Sequence, residues 1–183
     1  MHHKPKAGGW LEVIAGCMYA GKTEELIRRC RRATYAKQVV RIFKPAIDNR
    51  YSETDVVTHL GHTFTACPVH SSIELYDMAD EADLVGIDEA QFFDPTLVEV
   101  AEQLAKQGKR VIVVGLDLDF AGNPFGPMPQ LMAVAEYVTK VHAVCVVCGN
   151  NASRSQRITA EESQVVVGAE GIYEARCRAH WTP

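Results

Sequence analysis

The chain lacks a strong charge of either sign. Its net charge is −4 over 183 residues, which argues against a protein that lives on nucleic acid or on an anionic membrane surface. No apolar run approaches the length of a bilayer span. Residues 1–9 are polar, without the apolar segment of a signal peptide, and read as a flexible lead-in. There is no internal repeat and no low-complexity tract. These absences predict a cytoplasmic protein with no nucleic-acid and no membrane partner. In such a reducing compartment the six cysteines are not expected to pair as disulfides. What remains is an ordinary globular composition, 47% hydrophobic, enough for one cored domain plus a small appendage.

Hydrophobic runs alternate with helical patterns. Strands are expected at 11–15, 39–43, 84–87, 111–116 and about 137–144, and helices at 22–36, about 71–80 and 95–107. Short strands joined by helices predict the α/β class, with a parallel sheet covered on both faces. Residues 44–63, 117–130 and 149–164 fit neither pattern and read as long loops, which in a compact chain tend to be functional. Composition shifts near residue 140, where a cysteine-bearing tail begins. The expected organisation is therefore residues 1–9 as lead-in, 10–140 as a nucleotide-binding domain and 141–183 as a second, small unit.

Residues 16–23 read Gly16-Cys17-Met18-Tyr19-Ala20-Gly21-Lys22-Thr23, a G-x-x-x-x-G-K-[ST] loop between an apolar strand and a helix. In that context the glycines let backbone N–H groups close around phosphate oxygens, and the following helix adds its positive end. Lys22 then neutralises β/γ-phosphate charge, and Thr23 offers a hydroxyl to Mg²⁺. The bland alternative is a glycine turn with a solvated Lys22.

The strand at 84–87 ends in Asp88-Glu89-Ala90-Gln91. An acid at a strand's carboxyl end is the second half of a nucleotide site, where phosphates and Mg²⁺ lie. Two adjacent carboxylates cannot point the same way. One can serve the metal while the other accepts a proton from a substrate hydroxyl. The same four residues are similar to the acidic box of helicases, which need a second domain and a far longer chain.

Cys145 and Cys148 form C-x₂-C, and Cys177 and His180 form a distant C-x₂-H. Two such pairs suit tetrahedral, structural Zn²⁺. Buried thiols or a redox C-x-x-C are the alternatives. Such a metal would fasten the base of the 149–176 loop. Cys30 and Cys67 read as small buried hydrophobes, and His142 as a packing residue.

The phosphate loop, then Lys44-Pro45-Ala46-Ile47-Asp48-Asn49-Arg50-Tyr51, Asp88-Glu89-Ala90-Gln91-Phe92-Phe93, Leu116-Asp117-x-Asp119-Phe120-x-Gly122-x-Pro124-Phe125 and the Cys/His pairs occur in that order. Together they resemble the cellular-type (type II) thymidine kinases, from about residue 10 to 181. The resemblance implies a RecA-like P-loop kinase domain with a small zinc-binding "lasso" domain, assembled as a homotetramer. It implies phosphorylation of the 5′-hydroxyl of thymidine by ATP with Mg²⁺, giving dTMP. Deoxyuridine would be a secondary substrate and dTTP a feedback inhibitor.

Carried residue by residue, the resemblance makes Glu89 the general base. It places Thr23, Asp48 and Asp88 around Mg²⁺, and adds Arg50 and Gln91 to the residues that bind the phosphates. Met18, Phe92, Leu116, Phe120 and Phe125 would wall the nucleoside pocket. Ser155 would face the thymine ring, Gln164, Val165, Val166, Val167 and Gly168 would bind the base through backbone groups, and Tyr173 would touch the sugar end. Cys17 and Ala20 stand where the family often has Pro and Ser, at variable positions of the loop. Glu89 beside Asp88 and the Phe-rich walls favour an enzyme over a nucleotide-binding switch. The two-unit division further predicts that the metal supports the lasso and leaves the phosphate loop unaffected.

Overall fold

The computed structural model of the chain describes residues 8–46, 55–57, 63–158 and 171–183. A seven-stranded sheet forms its centre, built from β1 (Trp10–Ala15), β2 (Val40–Pro45), β3 (Asp55–Val57), β4 (Thr63–Val69), β5 (Leu84–Ile87), β6 (Arg110–Gly115) and β7 (Tyr137–Lys140). Their order is β3-β4-β2-β5-β6-β1-β7, and every pairing is parallel except that of edge strand β3 with β4. Parallel neighbours need crossovers, and helices supply them.

Alternation along the strands sorts side chains to two faces. Ile14, Ile42, Leu84 and Ile112 meet Leu26, Ile27 and Cys30 of α1 (Lys22–Tyr35) on one face. Leu11, Val13, Val85 and Val113 meet α2 (Ser72–Met78), α3 (Leu97–Lys106) and α4 (Met128–Val134) on the other. Burial pushes the Cys30 thiol up to about 12, so it stays protonated and acts as a small hydrophobe. Among the described residues no helix is long and apolar enough to cross a membrane.

Two short antiparallel hairpins follow. β8 (Ala143–Val144) pairs with β9 (Asn151–Ala152), and β10 (Arg154–Arg157) pairs with β11 (Tyr173–Arg176). The large sheet thus ends at Lys140, and the small sheets begin at Ala143.

The differences from expectation lie in the stretches read as loops. Strand β3 falls within 44–63, and β4 was not expected at all; Cys67 and Pro68 interrupt its apolar pattern. Helix α4 occupies the end of the Pro- and Gly-rich stretch 117–130, with Pro127 and Pro129 confined to its first turn, where a missing N–H does no harm. Strands β9 and β10 lie within polar 149–164. His142 is exposed rather than packed.

One buried acid ties several elements together. Glu12 of β1 is inaccessible to solvent and accepts hydrogen bonds from Arg29 of α1 (2.6 Å), Arg110 of β6 (2.6 Å) and the Trp10 indole (2.6 Å). Arg29 also donates to Thr139 of β7 at 3.0 Å. Burial opposes ionisation of Glu12, but the Arg110 and Arg29 guanidinium groups outweigh it and hold its carboxyl below the usual 4.5. The stabilisation is therefore complete at neutral pH and lost as pH falls through that lowered value. Replacing Glu12 with Gln leaves Arg110 without a carboxylate partner among the described residues and Arg29 with Glu25 alone. It should lower unfolding stability by about 3 kcal/mol at pH 7, measured by urea denaturation, and the difference from wild type should shrink as acid protonates Glu12.

Candidate active site

In a parallel sheet the carboxyl ends of the strands share one edge, and ligands bind there. β5, β6 and β1 are adjacent. Their ends deliver Asp88 and Glu89, then Leu116 and Asp117, then the loop 16–23 to one place.

The loop is shaped by its sequence. Gly16 is required because a Cβ there would lie 2.4 Å from the Val141 carbonyl oxygen. Gly21 has φ 76°, in the left-handed region that suits glycine, and opens α1. Lys22 donates to the Cys17 carbonyl at 2.8 Å. Thr23, in the first turn of α1, donates its hydroxyl to Asp88 Oδ2 at 3.1 Å. The two residues expected to share a metal are thus already in contact.

Asp88 is buried, and its other oxygen accepts from the Glu89 N–H at 2.9 Å. Burial, helped by the neighbouring Glu89 charge, pushes its carboxyl up to about 7; Thr23 and Lys22 oppose that. Glu89 itself has φ 51°. Non-glycine residues hold this left-handed conformation only where the surroundings enforce it. The two acids have different partners, Thr23 for Asp88 and Gln91 for Glu89.

Gln91 is buried and lies in a single 3₁₀ turn, Ala90–Phe92. Its amide donates to Glu89 Oε2 at 2.5 Å, and its carbonyl oxygen accepts from the Leu116 N–H at 3.0 Å. The side chain expected among the phosphate residues therefore anchors Glu89 to the end of β6.

The residues expected around a nucleoside make contacts in separate groups. Phe92 and Phe125 meet edge to face, centroids 5.6 Å apart. Leu116 is held through Gln91. The Arg157 guanidinium lies 3.7 Å from the Phe120 ring centroid and donates to the Tyr173 hydroxyl at 2.6 Å. Met18 donates its N–H to Ser155 Oγ at 3.1 Å. Asp48, Arg50 and the segment Gln164–Gly168 lie outside the described residues.

Asp117 is a further buried carboxylate. Lys140 forms an ion pair with its Oδ2 at 2.6 Å without hydrogen-bond geometry, and Oδ1 has no hydrogen-bond partner among the described residues. Asp117 stands within the Leu116-Asp117-x-Asp119 motif of the sequence but had no expected role, and the contacts of Arg157 were not foreseen.

The Cys/His set converges. The ligand atoms of Cys145, Cys148, Cys177 and His180 all lie within 4.8 Å of one another. Burial opposes ionisation of the Cys145 thiol, yet the Cys177, Val147 and Cys148 N–H groups bring it down to about 6. This donor set fits a tetrahedral metal.

The phosphate loop also packs against the small unit. Cys17 of the phosphate loop is buried in one apolar cluster with Ala143, Cys145, Ala152 and Ala175. Burial raises its thiol, which donates to the Ala152 carbonyl at 3.3 Å. The loop 16–23 therefore touches the small unit as well as the large one.

Asp88 also makes a prediction. Its folded pKa is raised above the usual 3.8, so ionising it destabilises the fold. That penalty is absent below about pH 4, grows as pH rises, and is complete above about pH 7. Asp88→Asn should raise the stability of the metal-free protein at pH 8 by about 1–2 kcal/mol and abolish turnover. Thermal unfolding at pH 8 and at pH 4 checks this; an equal effect at both would contradict it.

The comparisons agree with the geometry. A family model described as "Thymidine kinase" matches residues 9–181. A thymidine kinase of Rhodothermus sp. (strain ITI 518) is 61% identical over 175 residues, covering 96% of this chain and 82% of the relative. A thymidine kinase of Bacteroides thetaiotaomicron is 57% identical over 170 residues, covering 93% of this chain and 85% of the relative. The phosphate loop, the Asp88–Glu89 pair and the converged Cys/His group thus stand within one matched span, and the chain belongs to the thymidine kinase family of phosphate-transferring enzymes.

Proposed function

We propose that the enzyme transfers the γ-phosphate of ATP to the 5′-hydroxyl of thymidine, releasing dTMP and ADP. The observation that carries this reading is the divergence of Asp88 and Glu89 at the end of β5. Asp88 faces Thr23 at the helix that follows the phosphate loop. Glu89, turned by its left-handed backbone and held by Gln91, is the base on the nucleoside side. As the new O–P bond forms, Glu89 takes the 5′-hydroxyl proton. The bond from the γ-phosphorus to the bridging oxygen breaks, and its electrons leave with ADP.

The loop Gly16–Thr23 holds the triphosphate through backbone N–H groups and Lys22, with Arg50 adding positive charge for the phosphates. Thr23 and Asp88, joined by Asp48, hold the Mg²⁺ that accompanies ATP and neutralises phosphate charge. Met18, Leu116, Phe92, Phe120 and Phe125 enclose the nucleoside. Ser155, Tyr173 and the backbone of Gln164–Gly168 complete its recognition. Cys145, Cys148, Cys177 and His180 hold one structural Zn²⁺, which fastens the base of the 149–176 loop. We treat 10–140 as the kinase domain and 141–183 as the lasso domain of a cytoplasmic homotetramer. The six free thiols suit a reducing compartment.

Backbone groups reading the pyrimidine edge would discriminate sharply. Cytosine presents a donor where the thymine O4 accepts, and an unpaired buried group costs about 1–3 kcal/mol. An ADP-release assay over a nucleoside panel should therefore rank thymidine first and deoxyuridine next. Deoxycytidine should fall about ten- to a hundredfold lower in kcat/KM. In the same assay dTTP, spanning base and phosphate sites, should compete with both thymidine and ATP. Deoxycytidine turning over as fast as thymidine would overturn the substrate assignment.

A further inference from the structure

Three successive residues of the phosphate loop are held by the small C-terminal unit. The Cys17 thiol donates to the Ala152 carbonyl of β9 at 3.3 Å. The Met18 N–H donates to Ser155 Oγ of β10 at 3.1 Å, and the Tyr19 hydroxyl donates to the Tyr173 carbonyl of β11 at 3.2 Å. Every strand that supplies an acceptor thus belongs to the small hairpins.

The loop needs such support. Tyr19 has φ 63°, a left-handed conformation that non-glycine residues keep only where other contacts fix it. Its peptide follows Met18, whose N–H is fixed by Ser155. Ser155 is buried, at 4% exposure, and its partner in the β10–β11 ladder is Ala175. Ala175 in turn packs in the cluster that contains Cys17 and Cys145. The hydroxyl is therefore carried on a fixed platform.

We propose that Ser155 is a positioning residue for the phosphate loop, acting through the Met18 N–H, and that it makes the loop and the small unit one energetically coupled body. The inference rests on ATP being the phosphate donor. It changes the expected division of labour. Whatever orders the small unit also orders the triphosphate site, and by linkage each ligand then raises affinity for the other equally.

The test is calorimetric titration of a non-hydrolysable ATP analogue with Mg²⁺ into the full chain, without nucleoside. Wild type, Ser155→Ala and Ser155→Thr are compared, together with steady-state kinetics. Ser155→Ala should weaken analogue binding about five- to tenfold, the effect of one lost hydrogen bond to a buried group. It should raise KM for ATP by a similar factor, with a smaller effect on kcat. Ser155→Thr, which keeps the hydroxyl, should restore both to within about twofold, a rescue that general loosening would not give. Wild-type analogue affinity in Ser155→Ala, with only thymidine KM altered, would overturn the proposal while leaving the donor reading intact. Failure of the wild-type protein to bind the analogue would overturn the donor reading and this inference with it. Should Ser155→Ala not fold, Tyr19→Phe removes only the hydroxyl that reaches Tyr173. It should bind the analogue about threefold or more weakly, and unchanged affinity there overturns the coupling.

Discussion

The hydrogen bond from Thr23 to Asp88 joins the start of α1 to the end of β5 across the intervening strand β6. It fixes the distance between the phosphate loop and the acidic pair, the two halves of the site. Much of the surrounding structure serves that spacing. The apolar faces of β1, β5 and β6 lock the three strand ends in register. Gln91 then transmits the position of β6 to Glu89.

The site concentrates destabilising features where the chemistry needs them. Asp88 is buried beside a second acid, Glu89 and Tyr19 sit in left-handed backbone, and Asp117 is buried with one oxygen unpaired among the described residues. The stabilising counterpart lies at the other end of the sheet. There Glu12, buried near the start of β1, is matched by two guanidinium groups and an indole. Buried charge in this protein is thus fully paired near the start of β1 and under-paired at the proposed site.

The meeting of the loop 16–23 with the acids after 84–87 was more legible than several elements of the frame around it. The loop 16–23 and the acids after 84–87 carry residue types that chemistry demands at fixed spacing, so they could be located without coordinates. The strands with continuous apolar runs were also visible. β4 was not, because Pro68 sits inside it, and α4 was hidden by three prolines and two glycines just before or within its first turn. Strands β9 and β10 are short and polar; β9 closes a local hairpin with β8, whereas β10 meets β11 only after a longer return of the chain that no local pattern encodes. The same limit hid the contacts of Cys17, Met18 and Tyr19. A spacing motif says what a loop binds, but not what stands behind it. The small unit was read from sequence distance, which could not reveal that Cys17 of the loop shares an apolar cluster with Ala143, Cys145 and Ala152.

The central claim is that Glu89 removes the proton from the substrate hydroxyl while Asp88 and the loop manage the phosphates. Single-turnover rapid quench of Glu89→Gln at saturating ATP and thymidine tests it most directly. The substitution keeps an acceptor for Gln91 and removes only the basic group. The account predicts a phosphoryl-transfer step slowed about 10²–10⁴-fold, with both ligands bound within a few-fold of wild-type affinity. Transfer at the wild-type rate would contradict it.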